Sequence, residues 1–224
     1  MRLRSSPLLE AAKRYMQLFD KNPEKMNILK IALIIIFTSL NAFGQTCSYE
    51  NLSREFNYKV VPISKKEDLI QLVVQVTEKQ NSKRTQTFKI ECEGFYLDSF
   101  DNCKNVRSYI TKVNSKLPSG DEKDSGNFIV ADFNFDSFED FAIKSDPGGN
   151  GGPLYTYFLQ AENKKFYRSN YLSDTVQFFP IEINPINKTL TTFLHANAYQ
   201  KNRRIFKYNL KAKKWKLIHD GFEE

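Results

Sequence analysis

The densest run of hard oxygen donors in the 224-residue chain is Asp132, Asn134, Asp136 and Asp140, within the string Asp-Phe-Asn-Phe-Asp-Ser-Phe-Glu-Asp. A calcium ion takes roughly six to eight oxygens, and a short loop can supply them from alternate side chains, a backbone carbonyl and a closing carboxylate. Here those ligands are Asp132, Asn134, Asp136, the carbonyl of Phe138, and Asp140. Carboxylates crowded on one loop repel one another unless a cation lies among them, which gives the spacing a physical reason. Phe133, Phe135, Phe138 and Phe141 alternate with the donors and are expected to pack inward and hold the loop's shape. The expected cofactor is Ca2+, held with the roughly 0.1–1 mM affinity of extracellular modules. The plain alternative is a solvated acidic turn without an ion. An EF-hand is excluded, because the positions that need Gly and a bidentate Glu are Ser137 and Ile143.

Other candidate chemistry is sparse. Residues 146–155 read Asp-Pro-Gly-Gly-Asn-Gly-Gly-Pro-Leu-Tyr. This is no phosphate-binding loop, since neither a Gly-Lys-Ser/Thr ending nor a helical pattern follows. The glycines permit positive φ and close backbone approach. The segment is therefore a tight turn, or a loop that presents Tyr155 and Tyr157 to a partner, with Gly149, Gly151, Gly152 and Tyr155 as contact residues. His195 and His219 fall in strand-like runs, and no Ser or Cys near either has the setting of an activated nucleophile. The clustered acids have calcium spacing rather than that of a buried acid and base, so the chain reads as a non-enzyme.

A leader is legible from Met26: Lys30, an apolar run over 31–37, then Ala42 and Gly44, the small residues a leader peptidase needs, with cleavage before Gln45. The run is shorter than the roughly 18 to 20 residues that cross a hydrocarbon core, which disfavours a membrane anchor. The expected organisation is an upstream extension or mis-assigned start over 1–25, a signal peptide over 26–44, and one domain over 45–224, periplasmic or secreted. Export favours disulfides. Cys92 and Cys103, eleven positions apart across a polar stretch, are expected to pair, leaving Cys47 odd unless it takes one of them instead. No cysteine or histidine spacing suits zinc.

The elements that must position these residues are strands. Residues 69–78 and 85–92 alternate as a hairpin, 106–113 fits a strand or a short helix, and 114–126 is a polar loop. Short aromatic and β-branched runs follow at 128–131, 141–144, 154–160, 165–168, 176–183, 189–199, 204–210 and 215–219, each bounded by turn residues. Such spacing predicts an all-β fold of antiparallel sheets, in a sandwich, barrel or propeller-like arrangement, with helix confined to the leader. Net charge is +7, but residues 1–44 hold seven basic and three acidic residues, which leaves 26 against 23, or +3, and excludes a strongly basic nucleic-acid binder. Residues 121–146 carry eight acidic and two basic residues, whereas 199–217 carry eight basic and none acidic. The domain is thus dipolar, and the basic stretch is expected to be a solvated sheet face whose lysines guard an edge. Contact with an anionic envelope polymer is the functional alternative.

Residues 132–140 resemble the strand-loop-strand calcium loops of FG-GAP and VCBS repeat proteins, with Ser137 in the usual Gly place. Together with the glycine-rich loop, Tyr155 to Gln160, Lys165, Phe166 and the closing Trp215, Lys216, Leu217, they are similar to a family of exported bacterial calcium-binding proteins. That family is similar to periplasmic inhibitors of lysozyme and includes immunity proteins against secreted peptidoglycan-cleaving effectors. The resemblance implies a propeller-like all-β fold, a structural calcium, and an inhibitory loop that enters a muramidase cleft. Inhibitors of the invertebrate-type lysozyme class carry a Ser-Gly-x-Tyr loop; the nearest string here is Ser125, Gly126, Asn127 and Phe128, with Phe in place of Tyr, and the resemblance implies Ser125 and Gly126 as partner-contact residues. The implied partner is a lysozyme-like hydrolase, with membrane contact only through an uncleaved leader. A calcium-stabilised adhesion or glycan-binding module of the cell envelope, or an envelope scaffold with no ligand beyond the ion, are the competing readings.

Overall fold

The computed structural model describes residues 46–66, 69–93, 103–116, 126–146, 148–195 and 200–223, and the leader and its expected helix lie outside these. The described residues belong to one unit, Gly44–Glu224. The chain is all-β, in three sheets built largely from consecutive strands. The first runs β1 (Cys47–Tyr49), β2 (Phe56–Lys66), β3 (Leu69–Glu78) and β4 (Asn81–Glu93) as an antiparallel meander. The second orders β5 (Val106–Ser108), β6 (Phe128–Ala131), β7 (Asp140–Asp146), β8 (Leu154–Gln160) and β9 (Phe166–Arg168). Its β5 pairs with β6 in parallel, and the remaining pairs are antiparallel. The third is the antiparallel series β10 (Glu182–Asn184), β11 (Thr189–His195), β12 (Lys201–Asn209) and β13 (Lys214–Glu223). Among the described residues none of the three closes into a barrel.

The second sheet is buried on both faces, and its sequence shows why. Strand β6, the Phe141–Ile143 centre of β7 and most of β8 are near-continuous apolar runs rather than alternating ones, as two-sided burial demands. Period-two geometry then sorts them. Phe128, Val130, Phe141, Ile143 and Phe158 pack with Tyr58, Val60, Leu72 and Val74 of the first sheet. Ile129, Ala131, Ala142, Tyr157 and Leu159 pack with Leu190, Phe206 and Tyr208 of the third. At the centre of the first core Phe141 stacks on Phe158 at 4.7 Å and on Phe128 at 5.3 Å between ring centroids. The amide of Gln86 on β4 binds the first sheet to β9, its Oε1 accepting the Phe166 N–H at 2.8 Å.

Two expectations are corrected. Residues 176–183 do not form one strand: a π-helical turn over Leu172–Val176 leads into an isolated bridge at Phe178 and then the short β10. The disulfide joins Cys47 to Cys103, not Cys92 to Cys103, with 5.3 Å between Cα atoms. Cys92 lies on the inward side of β4 with Phe88 and Ile90, buried in the first core as a free thiol. Meanwhile β1 pairs with β2 and places Cys47 beside the entry to β5.

Two measurements check this packing. Phe141→Ala is expected to destabilise by about 3–5 kcal/mol in urea unfolding, since it empties a fully buried ring site. Non-reducing peptide mapping should recover Cys47 and Cys103 in one linked peptide, with Cys92 alkylated only after unfolding; a linked Cys92 would refute the arrangement.

Candidate functional site

The segment 132–140 connects β6 to β7 and turns on its own carboxylates. Asp132 accepts the N–H of Asp136 on Oδ1 at 3.0 Å and that of Ser137 on Oδ2 at 2.9 Å. Asp136 Oδ1 accepts the Phe138 N–H at 2.9 Å, and its Oδ2 accepts from the Asn134 amide at 2.7 Å. Wrapping the chain this tightly puts Phe135 and Ser137 at φ of 61° and 73°, in the left-handed region that non-glycine residues visit rarely. Ser137 thus adopts a backbone conformation that glycine takes more readily.

The loop's aromatics divide by face. Phe133 and Phe135 enter the second core, where Phe133 meets Tyr157 edge-on at 5.1 Å and Phe135 meets Trp215 at 6.2 Å. Phe141 enters the first core, while Phe138 stays half-buried. Three of the four therefore pack inward as expected.

Asp140 sits beneath the loop, fully buried, with Oδ2 accepting the Phe133 N–H at 2.8 Å and Oδ1 the Gln160 N–H at 2.9 Å. It braces the loop's start to its end and to β8. Its neighbour Glu139, which the spacing argument passes over, is also buried and accepts hydrogen bonds from the Ser53 hydroxyl and from the N–H groups of Arg54 and Glu55. The Glu139 N–H in turn donates to Gln160 Oε1 at 2.9 Å. No sequence signal marks Glu139, because its donors lie some 85 residues away on the β1–β2 turn.

Electrostatically the loop is short of positive charge. Burial raises the Asp132 carboxyl above the usual carboxylate range; the Ser137 N–H pulls it back and the charge of Asp136 pushes it further up. Burial also raises Asp140, against the N–H bonds from Gln160 and Phe133 and with the charges of Asp136 and Asp132. Among the described residues no Lys or Arg pairs with Asp132, Asp136 or Asp140. Nor do three Asp, Glu, His or Cys side chains among them gather closely enough to ligate an ion by themselves. An ion here would depend on Asn134 and a backbone carbonyl as well as on Asp132 and Asp136. This all-oxygen set fits a hard cation and no soft metal.

The expected partner-contact residues fare differently. Ser125 lies outside the described residues. Gly126, at φ 106°, gives its carbonyl to the Tyr155 hydroxyl at 2.9 Å. Tyr155 and Tyr157 are not displayed to a partner: both are buried in the second core, and the Tyr157 hydroxyl donates to the Phe178 carbonyl at 2.7 Å. The glycine-rich segment is a tight 3-10 turn over Gly149–Gly151. A Cβ on Gly148 would meet the Gly152 carbonyl oxygen at 1.5 Å, and one on Gly151 would meet Leu194 at 2.8 Å, whereas Gly149 and Gly152 face open space. His195 and His219 lie on β11 and β13 with β12 between them. On the basic stretch, exposed Lys214 and Lys216 sit on β13, the free edge of the third sheet, as edge guards do.

Both resolved shifts in the loop are upward. Their contribution to stability is fully present below the unfolded carboxylate pKa of about 3.9 and is lost as pH rises through the folded values. Asp136 is the shared charge behind both. Asp136→Asn is therefore expected to raise the melting temperature in chelator at neutral pH by a few degrees, on the order of 0.5–1 kcal/mol, with little gain near pH 4. Equal melting of variant and parent at neutral pH would show that the repulsion is absent. Comparison of the chain with protein-family models, curated proteins and solved structures finds no match in any of the three.

Proposed function

We propose that the chain is an exported calcium-binding protein that acts by recognition rather than catalysis. The observation that carries this reading is the 132–140 loop, wrapped by hydrogen bonds to its own carboxylates and left without a pairing Lys or Arg among the described residues. The ion would be held by Asp132, Asn134, Asp136 and the Phe138 carbonyl, with Asp140 as the closing carboxylate and brace. It would supply the countercharge that the loop lacks and fasten β6 to β7. Export rests on the leader read from residues 26–44. The non-catalytic reading is supported by the clustered acids, whose oxygens serve backbone N–H groups instead of facing one another across a cleft. In fold terms, burial of the second sheet on both faces favours the sandwich over the propeller-like form.

The resemblance supplies the partner class, a peptidoglycan-cleaving, lysozyme-like hydrolase that the protein would inhibit. Of the glycine-rich segment offered as a partner contact, Gly149 and Gly152 keep open space around them. The second reading, a calcium-stabilised glycan-binding module, is favoured by a groove beside the loop with aromatic walls.

Thermal melting with calcium and with chelator tests the ion directly. At 10 to 100 times Kd, calcium should stabilise by about 1.4–2.7 kcal/mol, and Asp136→Ala should remove the gain. An unchanged melting temperature at about 10 mM calcium would overturn the calcium reading. Muramidase assays with the purified protein decide the partner: dose-dependent inhibition supports the hydrolase, and no inhibition of any muramidase tried removes it.

A further inference from the structure

A groove of about 1050 Å³ lies beside the 132–140 loop, between β9 and the β12–β13 turn. That volume is at the upper end of ligand clefts, which run to roughly 1,000 Å³. The groove is bordered by two sheet margins, since β9 ends the second sheet and β13 ends the third. Its apolar walls are mostly flat rings. Tyr208 and Trp215 are cross-strand partners with rings 4.8 Å apart, and Tyr171 lies parallel to Trp215 at 6.3 Å and 9°. Tyr167, on β9, is 50% exposed, so one ring offers its surface to solvent without any rearrangement.

Short neutral amides share the lining with the rings. Asn134, on the loop, is buried and bound to Asp136, while exposed Asn163 and Asn170 flank β9, their Oδ1 atoms accepting from the Lys165 N–H and from Arg168 and their Nδ2 groups left to donate. Charge is mixed: Asp136 and Glu162 against Lys213 and Lys214, with Arg168 already bound to Asp174 through two contacts of 2.6 and 3.0 Å. A nucleic acid calls for a surplus of positive charge that this groove lacks. An aliphatic helix calls for a continuous apolar trough, and here amides interrupt it. A pyranose chain has the complementary pattern. Its C–H faces are flat and apolar, and its rims carry hydroxyls that both donate and accept, which suits amphipathic rings alternating with amides.

We infer that this groove is a binding site for an oligosaccharide chain, with Tyr167 as its exposed stacking platform and Asn163 and Asn170 as hydroxyl-reading side chains. The inference rests on the recognition reading above but not on the ion. The chain provides its own reporter, because Trp215, the single tryptophan, lines the groove.

The test is a titration of the full chain by tryptophan fluorescence, with cellotetraose, chitotetraose, maltotetraose and solubilised peptidoglycan glycan strands. At least one should give a saturable shift in emission, and Tyr167→Ala should weaken it about tenfold, equivalent to about 1.4 kcal/mol. Asn163→Ala with Asn170→Ala should also weaken it, and neither position is in the packed core, so folding is retained. No shift with any of the four overturns the proposal. So does sugar binding that both variants leave unchanged, or a shift produced only by a muramidase. Melting the same samples with calcium and chelator keeps the two readings apart. Calcium stabilisation without sugar binding sinks this inference alone, and sugar binding without calcium stabilisation sinks the calcium reading alone.

Discussion

A carboxylate taken out of water must be met by hydrogen-bond donors or by a cation, and Glu139 and Asp140 are two such groups side by side where β7 begins. Each is met by backbone N–H groups from a different part of the chain. Glu139 collects those of the β1–β2 turn, and Asp140 those of the loop's start and of β8. Gln160 closes the circuit, donating its N–H to Asp140 and accepting the N–H of Glu139 on its side chain. The first sheet, the loop and the second sheet are thereby indexed to one dipeptide. The loop's conformation, and with it the border of the groove, follows from that anchorage.

The sequence was most informative where one rule acts alone. Strands β3, β6 and β8 fall on the residues that periodicity and apolar content pick out, and the hairpin of β3 and β4 was readable from its alternation and polar turn. Strand β2 was hidden because Pro62 interrupts it, and the fold tolerates that proline by placing a register shift between Pro62 and Ser64. The parallel pairing of β5 with β6 had no local signature, since it joins residues 106–108 to residues 128–130, well separated along the chain. Of the site, the donor spacing of Asp132, Asn134 and Asp136 was legible. The bracing by Glu139 was not, because it is a contact across the chain. The glycine segment leaves open a tight turn or a display loop for Tyr155 and Tyr157, because tyrosines beside a glycine turn suit either; the two-sided burial of β8, which sends their rings inward, decides for the turn.

Charge and packing meet at the third sheet. Phe135 reaches from the loop to Trp215, and Lys188 lies over the Phe135 ring at 5.5 Å. The loop is thus in contact with the strand that walls the groove. The groove's rings Tyr167, Tyr208 and Trp215 stand on β9, β12 and β13, whereas Asn163 and Asn170 lie outside β9 on either side of it.

The odd cysteine has a consequence for how the protein matures. Burial pushes the Cys92 thiol up to about 12, above an ordinary cysteine near 8.5, so its thiolate is scarce at neutral pH. Thiolate is the species that attacks a disulfide. Once the first core has closed, burial disfavours attack by Cys92 on the bridge between Cys47 and Cys103. That bridge spans 56 residues, and in chain-entropy terms it withdraws about 4 kcal/mol of freedom from the unfolded chain. The pairing is thus decided early: a chain that oxidises before β4 is covered has three thiols to choose among, and one that folds first has two.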